Sequence, residues 1–259
     1  MHRPFAVLIG LVALLPPISG SARPSGHLVE LARLQLGPAP TGVDAALAAW
    51  AQEVRLRTSV EIAHRTAVVR PGDKALFNHP LLYLGGDRAP PKPGAAALTN
   101  LRRHLLTGGL IIVDDTGRAG PSDAYDREVR RLFRQVTDRA FERIPATHVL
   151  FRSFYRLSRP VGRRADAGHL EGIRVGKHYA VIYIRDDLSG AFLRSPGGGP
   201  ALRAVPGGEP QRERAHRLAI NLLMYALCLD YKDDHTHVTH LLRHRRGRAP
   251  KRPKGADGR

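Results

Sequence analysis

The chain has 259 residues, of which 42% are hydrophobic, so it is long enough to bury the core of one α/β domain. Its formal net charge of +18 is typical of a nucleic-acid-binding protein, but much of that charge lies at one end. Residues 243–259 hold eight Lys or Arg against one Asp. This uneven distribution argues against nucleic acid as the partner.

The first 22 residues have the layout of a secretory signal peptide. Arg3 precedes the apolar run FAVLIGLVALL, and two prolines and small residues follow as far as Ala22. The apolar run is shorter than the roughly 20 residues that a membrane span requires. We therefore expect a periplasmic or secreted protein that is cleaved after Ala22. The alternative is a protein anchored in the membrane through the uncleaved segment.

After the signal, the composition predicts a single α/β domain over residues 23–242 and a disordered basic tail over residues 243–259. The tail combines charge of one sign with Pro and Gly, a composition that does not form a core. In an exported protein, the candidate partners of such a tail are anionic lipids and cell-wall polymers.

Strand and helix patterns alternate along the domain. Apolar runs predict strands at residues 27–36, 60–69, 80–86, 110–115, 169–176 and 178–192. Composition and helical spacing predict helices at residues 43–58, 95–107, 123–136 and 211–231. This alternation predicts a three-layer α/β sandwich with a mostly parallel sheet.

Two pairs of aspartates follow apolar runs. Asp114 and Asp115 end the segment LIIVDD, and Asp186 and Asp187 follow the segment AVIYIR. Open α/β sheets bind ligands at the carboxyl ends of their strands, so these acids are candidates for a ligand or divalent-cation site, or for a general base. The alternative is that they form turns and helix caps.

Neighbouring residues of a strand point to opposite faces of the sheet. We therefore expect one of Asp114 and Asp115 to face a cleft and the other to hold a turn. Asp115 lies further past the strand, so we assign the cleft to Asp115 and the turn to Asp114.

Other titratable residues extend the set of candidates. His148 and Glu171 are candidates for the same ligand site as Asp114, Asp115 and Asp187. The spacing of His237, His240 and His244 would place them on one face of a helix, which can bind zinc or nickel. No cysteine pair or HExxH motif accompanies them, so we assign no dedicated metal site there. The candidate cofactor is a divalent cation at the acids.

The chain has one cysteine, Cys228, in the apolar segment INLLMYALCLDY, where we expect a buried and inert thiol. The GxSxG elbow, the Walker A motif and a GxGxxG motif after a strand are missing from the sequence. These observations favour a protein without catalytic activity.

Four segments together resemble the domain-of-unknown-function 4159 family: ALFNHPLLYLGG, NLRRHLLTGGLIIVDD, LEGIRVGKHYAVIYIRDDLSGAF and RERAHRLAINLLMYALCLDYKDD. The resemblance covers residues 27–242 and implies a flavodoxin-like or class I glutamine amidotransferase-like fold. It implies no activity, because the chain lacks a cysteine at a strand-to-helix turn. Asp187 matches the family pattern, whereas Asp186 stands where the pattern has Asn.

We therefore expect an exported, non-catalytic domain that binds a ligand or a partner at the carboxyl edge of its sheet. The first alternative is a hydrolase, with or without a metal, that uses Asp114 or Asp115 together with Asp187 and a histidine. The second alternative is a cell-envelope attachment protein that acts through its basic tail.

Overall fold

The structure is a computed structural model that describes residues 28–246, with side chains described as far as Leu229. The predicted signal peptide, residues 1–22, lies outside the described residues. So does the predicted tail, except for its first four residues, which belong to the last helix. The side chains of His237, His240 and His244 also lie outside the described part, so their predicted metal affinity stays a prediction.

Seven strands form one sheet in the order β2-β1-β3-β4-β7-β6-β5. They are β1 (Ala32–Leu34), β2 (Ala67–Val69), β3 (Leu81–Gly86), β4 (Leu110–Asp115), β5 (Glu142–Arg143), β6 (Glu171–Val175) and β7 (His178–Ile184). The first five in that order run parallel, and β6 and β5 are antiparallel to their neighbours. The prediction of a mostly parallel sheet is confirmed.

Four helices cover the sheet: α1 (Val43–Arg57), α2 (Ala95–Leu106), α3 (Asp123–Thr137) and α4 (Gly208–Arg246). Helices α1 and α4 pack on one face, and α2 and α3 pack on the other. The result is the predicted three-layer α/β architecture. Among the described residues, none of the helices combines the length and the apolar composition needed to cross a bilayer.

Strand β4 shows why the central strands are continuous apolar runs. Leu110 and Ile112 pack with α1 and α4, whereas Ile111 and Val113 pack with α2 and α3. Both faces of the strand are therefore buried, so every position up to the aspartates must be apolar. The same alternation determines the face toward which each aspartate points.

Several features differ from the sequence predictions. The strand predicted over residues 178–192 ends at Ile184, and Ser189–Phe192 forms a short 3-10 helix instead. Strand β5 has only two residues, both exposed, so it has no apolar pattern that a sequence could reveal. Cys228 is exposed, so the prediction of a buried thiol is wrong. It lies near the end of the part of α4 whose side chains are described, on the side that does not face the sheet.

Candidate functional site

Asp114 is fully buried at the carboxyl end of β4, on the face covered by α1 and α4. The hydroxyl of Tyr83 donates to its Oδ2 at 2.6 Å, and the backbone N–H groups of Leu188 and Ser189 donate at 2.8 Å each. Burial raises the pKa of Asp114 to about 6, and the nearby carboxylate of Asp187 adds to the rise. Asp114 therefore joins the ends of three strands.

Asp115 points to the opposite face, as expected for the neighbouring strand residue. It accepts hydrogen bonds from the backbone N–H groups of Gly117 at 3.0 Å and Ser122 at 2.8 Å. Ser122 is the N-cap of α3, so Asp115 fixes the turn between β4 and that helix. The assignment of Asp115 to the cleft is wrong, because α3 covers the face toward which Asp115 points.

Asp187 lies immediately after β7 and beside Asp114. Its carboxylate accepts hydrogen bonds from the Nε of Arg163 and from the backbone N–H of Gly190 at 3.0 Å. Its backbone has φ 54°, in the left-handed region that side chains other than glycine rarely adopt. Burial raises the pKa of Asp187, and the Arg163 guanidinium acts against this rise. Held in this way, Asp187 forms part of a cavity wall.

Asp186 turns away from this cluster. It accepts hydrogen bonds from the backbone N–H groups of Ala167 at 2.8 Å and Gly168 at 3.2 Å, and it thereby holds the loop before β6. Each oxygen atom of the four aspartates thus accepts at least one hydrogen bond from the protein. The acids act as connectors between strand ends.

A cavity of about 120 Å³ opens between the carboxyl ends of β1 and β3. Its walls are the loop Gly37–Pro40, the end of β3 at Gly85 and Gly86, and the prolines Pro90 and Pro91. Gly86 must lack a side chain, because a Cβ there would lie 2.1 Å from the ring of Tyr125. The wall also includes the charged residues Arg33, Asp87 and Arg88.

A second cavity of about 30 Å³ adjoins the first at the carboxyl ends of β3, β4 and β7. The two share Pro40 and Asp87 as lining residues. The second is polar, with Asp187 and Ser189 in its wall. Thr116 also lines it, and the Oγ1 atom of Thr116 is buried with no hydrogen-bond partner among the described residues. Together the two cavities form what we call the carboxyl-edge cleft.

His148 and Glu171 lie apart from the four aspartates. His148 accepts a hydrogen bond from the backbone N–H of Leu150 at 3.3 Å and packs edge-on against Tyr179, near the amino end of β7. Glu171 accepts a hydrogen bond from Arg130 at 2.5 Å on the face covered by α3. Of the five candidates, only Asp114 and Asp187 lie side by side on one face of the sheet.

Two residues of the cluster, Tyr83 and Arg163, were not among the candidates predicted from the sequence. Tyr83 is the one residue in the apolar part of β3 whose side chain has a polar group. Because a buried hydroxyl usually has a hydrogen-bond partner, the sequence indicated a polar contact at this position. Arg163 lies in a loop that is separated by 24 positions from Asp187 and shows no local pattern. Only the fold brings Arg163 to the cluster.

Within the described part of the chain, no three His, Cys, Asp or Glu side chains are arranged to hold a metal ion. The oxygens of Asp114 and Asp187 already accept hydrogen bonds from N–H and O–H groups. A cation at this position would have to displace those donors, so the residues present do not fit a divalent-cation site.

The family described as "Domain of unknown function (DUF4159)" matches residues 30–227. A search of the curated proteins gave no match.

Proposed function

Because the chain belongs to the DUF4159 family, a domain of unknown function, we propose a role for it from the structure of the carboxyl edge of its sheet. We propose that it is an exported, non-catalytic domain that binds a small ligand, or a side chain of a partner, in the carboxyl-edge cleft. One observation carries the proposal. The cleft is open at the crevice between β1 and β3, whereas the acids beside it are fully engaged in internal hydrogen bonds.

The strand order supports a binding site at this position. Strands β2, β1, β3, β4 and β7 follow the order 2-1-3-4-5 of flavodoxin-like sheets, which is the finer fold type that we propose. In such sheets the connections leave β1 and β3 toward opposite faces, and ligands bind in the crevice at their carboxyl ends. The cavity of about 120 Å³ lies at this crevice.

The shape and lining of the cleft define the class of ligand. Its volume is below the roughly 300 Å³ of common small-molecule pockets, so a bound group has few non-hydrogen atoms. The prolines at the wide end provide rigid apolar contacts. Asp87, Thr116 and Ser189 at the narrow end provide polar groups. We therefore propose a ligand with a compact apolar part and a hydroxyl or amide end.

Protein-observed NMR tests the location. A screen of small alcohols and amides should shift the backbone amide resonances of Gly85, Gly86 and Thr116. The variant Asp87→Asn should reduce these shifts, because Asp87 lines both cavities. The matched control is Asp138→Asn, at the exposed C-cap of α3, which should leave the shifts unchanged. Shifts confined to residues outside the cleft would contradict the proposal.

A hydrolase is the alternative, and one observation favours it. A pKa of about 6 for Asp114 would suit a general acid or base near neutral pH. However, the hydrogen bonds and ion pairs of the four aspartates include no histidine among the described residues. Turnover of chromogenic esters or phosphoesters that Asp114→Asn abolishes, while a melt shows the variant folded, would favour the hydrolase.

Export is the remaining part of the proposal, and it rests on the layout of residues 1–22. We expect the native protein in the periplasm or the medium, with an N-terminus at Arg23. Cell fractionation followed by N-terminal sequencing tests this. A cytoplasmic protein that begins at Met1 would contradict it.

A further inference from the structure

A large opening lies at the amino edge of the sheet, on the opposite side from the carboxyl-edge cleft. It is a cavity of about 670 Å³ beside the amino ends of β3 and β4, and we call it the amino-edge cavity. Its walls present more polar than apolar surface, with Val29, Pro80, Leu81 and Leu227 among the apolar lining residues. This volume lies in the range of pockets that hold small organic molecules.

The charge of the amino-edge cavity is unlike that of the rest of the protein. The chain has 41 Lys and Arg, yet none of the described residues that line this cavity is Lys or Arg. Among the described lining residues, the one carboxylate is that of Glu30, whose side chain is 35% exposed. Burial lowers the pKa of His104 to about 4, so this lining residue is uncharged at neutral pH. The cavity therefore favours a cationic group over an anionic one.

Two side chains of the cavity wall, Glu30 and Asn78, carry acceptor oxygens. The carboxylate of Glu30 lies 3.4 Å from the Nδ1 of His79, and the side-chain amide of Asn78 lines the same cavity. The Nε2 of His104 is buried and has no hydrogen-bond partner among the described residues.

Gly109 allows the His104 ring to reach the cavity wall. A Cβ on Gly109 would lie 2.2 Å from the Nε2 of His104, so a residue with a side chain at this position would displace the ring. A buried ring nitrogen without a hydrogen-bond partner is energetically costly, and a bound polar group could supply the partner after a small shift.

We propose that the amino-edge cavity binds a primary amine carried on an apolar body, such as an alkylammonium or arylalkylammonium ion. The ammonium group would pair with Glu30, and the apolar body would lie against Leu81 and Leu227. This site is separate from the carboxyl-edge cleft and does not depend on the function proposed for it.

The probe is benzylamine, and benzyl alcohol and benzoate are the matched neutral and anionic ligands. Isothermal titration calorimetry at neutral pH should detect binding of benzylamine. Benzyl alcohol should bind about tenfold more weakly, because it lacks the charge-assisted hydrogen bond. Benzoate should not bind. In NMR spectra, benzylamine should shift the amide resonances of Gly108 and Gly109, which line the cavity.

The variant Glu30→Gln keeps the shape of the side chain and removes its charge, so it should weaken benzylamine binding about tenfold. The matched control Glu128→Gln changes a glutamate of α3 that forms a surface ion pair with Arg131, and it should leave the affinity unchanged. A melt shows whether each variant is folded. If Glu30→Gln does not fold, the affinities of the wild type for the three ligands still test the proposal.

Three results would overturn the proposal. The first is equal affinity for benzylamine and benzyl alcohol, which would indicate an apolar site without selection of charge. The second is the absence of benzylamine binding at millimolar concentration. The third is binding of Zn²⁺ or Ni²⁺ that His79→Ala and His104→Ala abolish, without binding of benzylamine, which would indicate a metal site.

Discussion

The Nε of Arg163 donates a hydrogen bond to the carboxylate of Asp187, and only 6% and 2% of the two side chains are exposed. Two backbone hydrogen bonds run beside this ion pair: Arg163 N–H to the carbonyl of Asp187 at 3.0 Å, and Arg164 N–H to the carbonyl of Asp186 at 2.9 Å. The segment around Arg163 is therefore held to the end of β7 by charge and by main chain. Of the two residues, Asp187 lines the smaller cavity of the carboxyl-edge cleft.

Breaking this ion pair should strongly destabilise the fold. Asp187→Asn would leave the Arg163 guanidinium buried without its counter-charge, so we expect the free energy of unfolding to fall by about 3 kcal/mol. Asn adopts the left-handed backbone region readily, so backbone strain would not explain the loss. Urea unfolding followed by circular dichroism measures the change.

The control for this prediction is Asp138→Asn. Asp138 also has a left-handed backbone, with φ 57°, but it is exposed and makes no buried ion pair among the described residues. Its variant should leave the unfolding free energy nearly unchanged. If the two variants lose equal stability, the Arg163 pair does not stabilise this edge.

A second prediction concerns Tyr83, whose hydroxyl donates to the buried carboxylate of Asp114 at 2.6 Å. Tyr83→Phe removes this donor from a charged acceptor, so we expect a loss of about 2 kcal/mol at pH 7. Thermal and urea unfolding measure the loss. The control is Tyr155→Phe, at a partly exposed ring that is stacked under Arg217, and it should cost much less.

Tyr83→Phe should also change the pH dependence of stability. The pKa of Asp114 is raised from 3.8 to about 6 in the folded state, so its contribution to stability falls as the pH rises through this range. The hydrogen bond from Tyr83 lowers this pKa, so its loss should extend the fall above pH 6. The stability difference between variant and wild type should therefore grow between pH 6 and pH 7.5. A difference that is constant over this range would contradict the assignment.

A third prediction tests the turn before α3. Asp115→Ala removes the acceptor for the backbone N–H groups of Gly117 and Ser122, so we expect a loss of about 2 kcal/mol. The control is Asp73→Ala, which removes a single exposed hydrogen bond from the N–H of Arg70 and should cost less. Equal losses in unfolding experiments would mean that the buried position of Asp115 adds nothing.

The aspartate pair shows how far sequence reasoning could go at this site. The alternation of strand residues correctly predicted that Asp114 and Asp115 point to opposite faces. The face on which α3 packs depends on the handedness and order of the whole sheet. The position of Asp115 at the end of the strand could therefore not decide which of the two aspartates faces the cleft. The main helices and strands, in contrast, follow from apolar spacing within each segment, and each observed element overlaps its predicted segment, although β1, β2 and β7 are shorter than predicted.

The contacts between distant segments could not be predicted from the sequence, for a different reason. Arg163 meets Asp187 and Tyr83 meets Asp114 only because five parallel strands end at one edge. A loop arginine and a strand tyrosine have no spacing that predicts such partners. The amino-edge cavity is a similar case, since Glu30, His79 and Gly109 come from three separate connections.

The last prediction concerns His104, which is buried at the end of α2 against Gly109. Burial lowers its pKa from 6.5 to about 4, so the unfolded chain binds a proton there at pH values at which the folded protein does not. Its contribution to stability is therefore present above pH 6.5 and is lost as the pH falls toward 4, by up to about 3 kcal/mol. His104→Gln should remove this dependence, so the stability difference between wild type and variant should shrink as the pH falls from 6.5 to 4. Asp114 contributes a pH dependence of stability with the opposite sign. This contribution is the same in the wild type and in His104→Gln, so it cancels when the two are compared. The control His64→Gln changes an exposed histidine and should keep the dependence of the wild type. If the wild type and His104→Gln lose stability in parallel over this range, His104 is protonated in the folded state and burial does not hold it neutral.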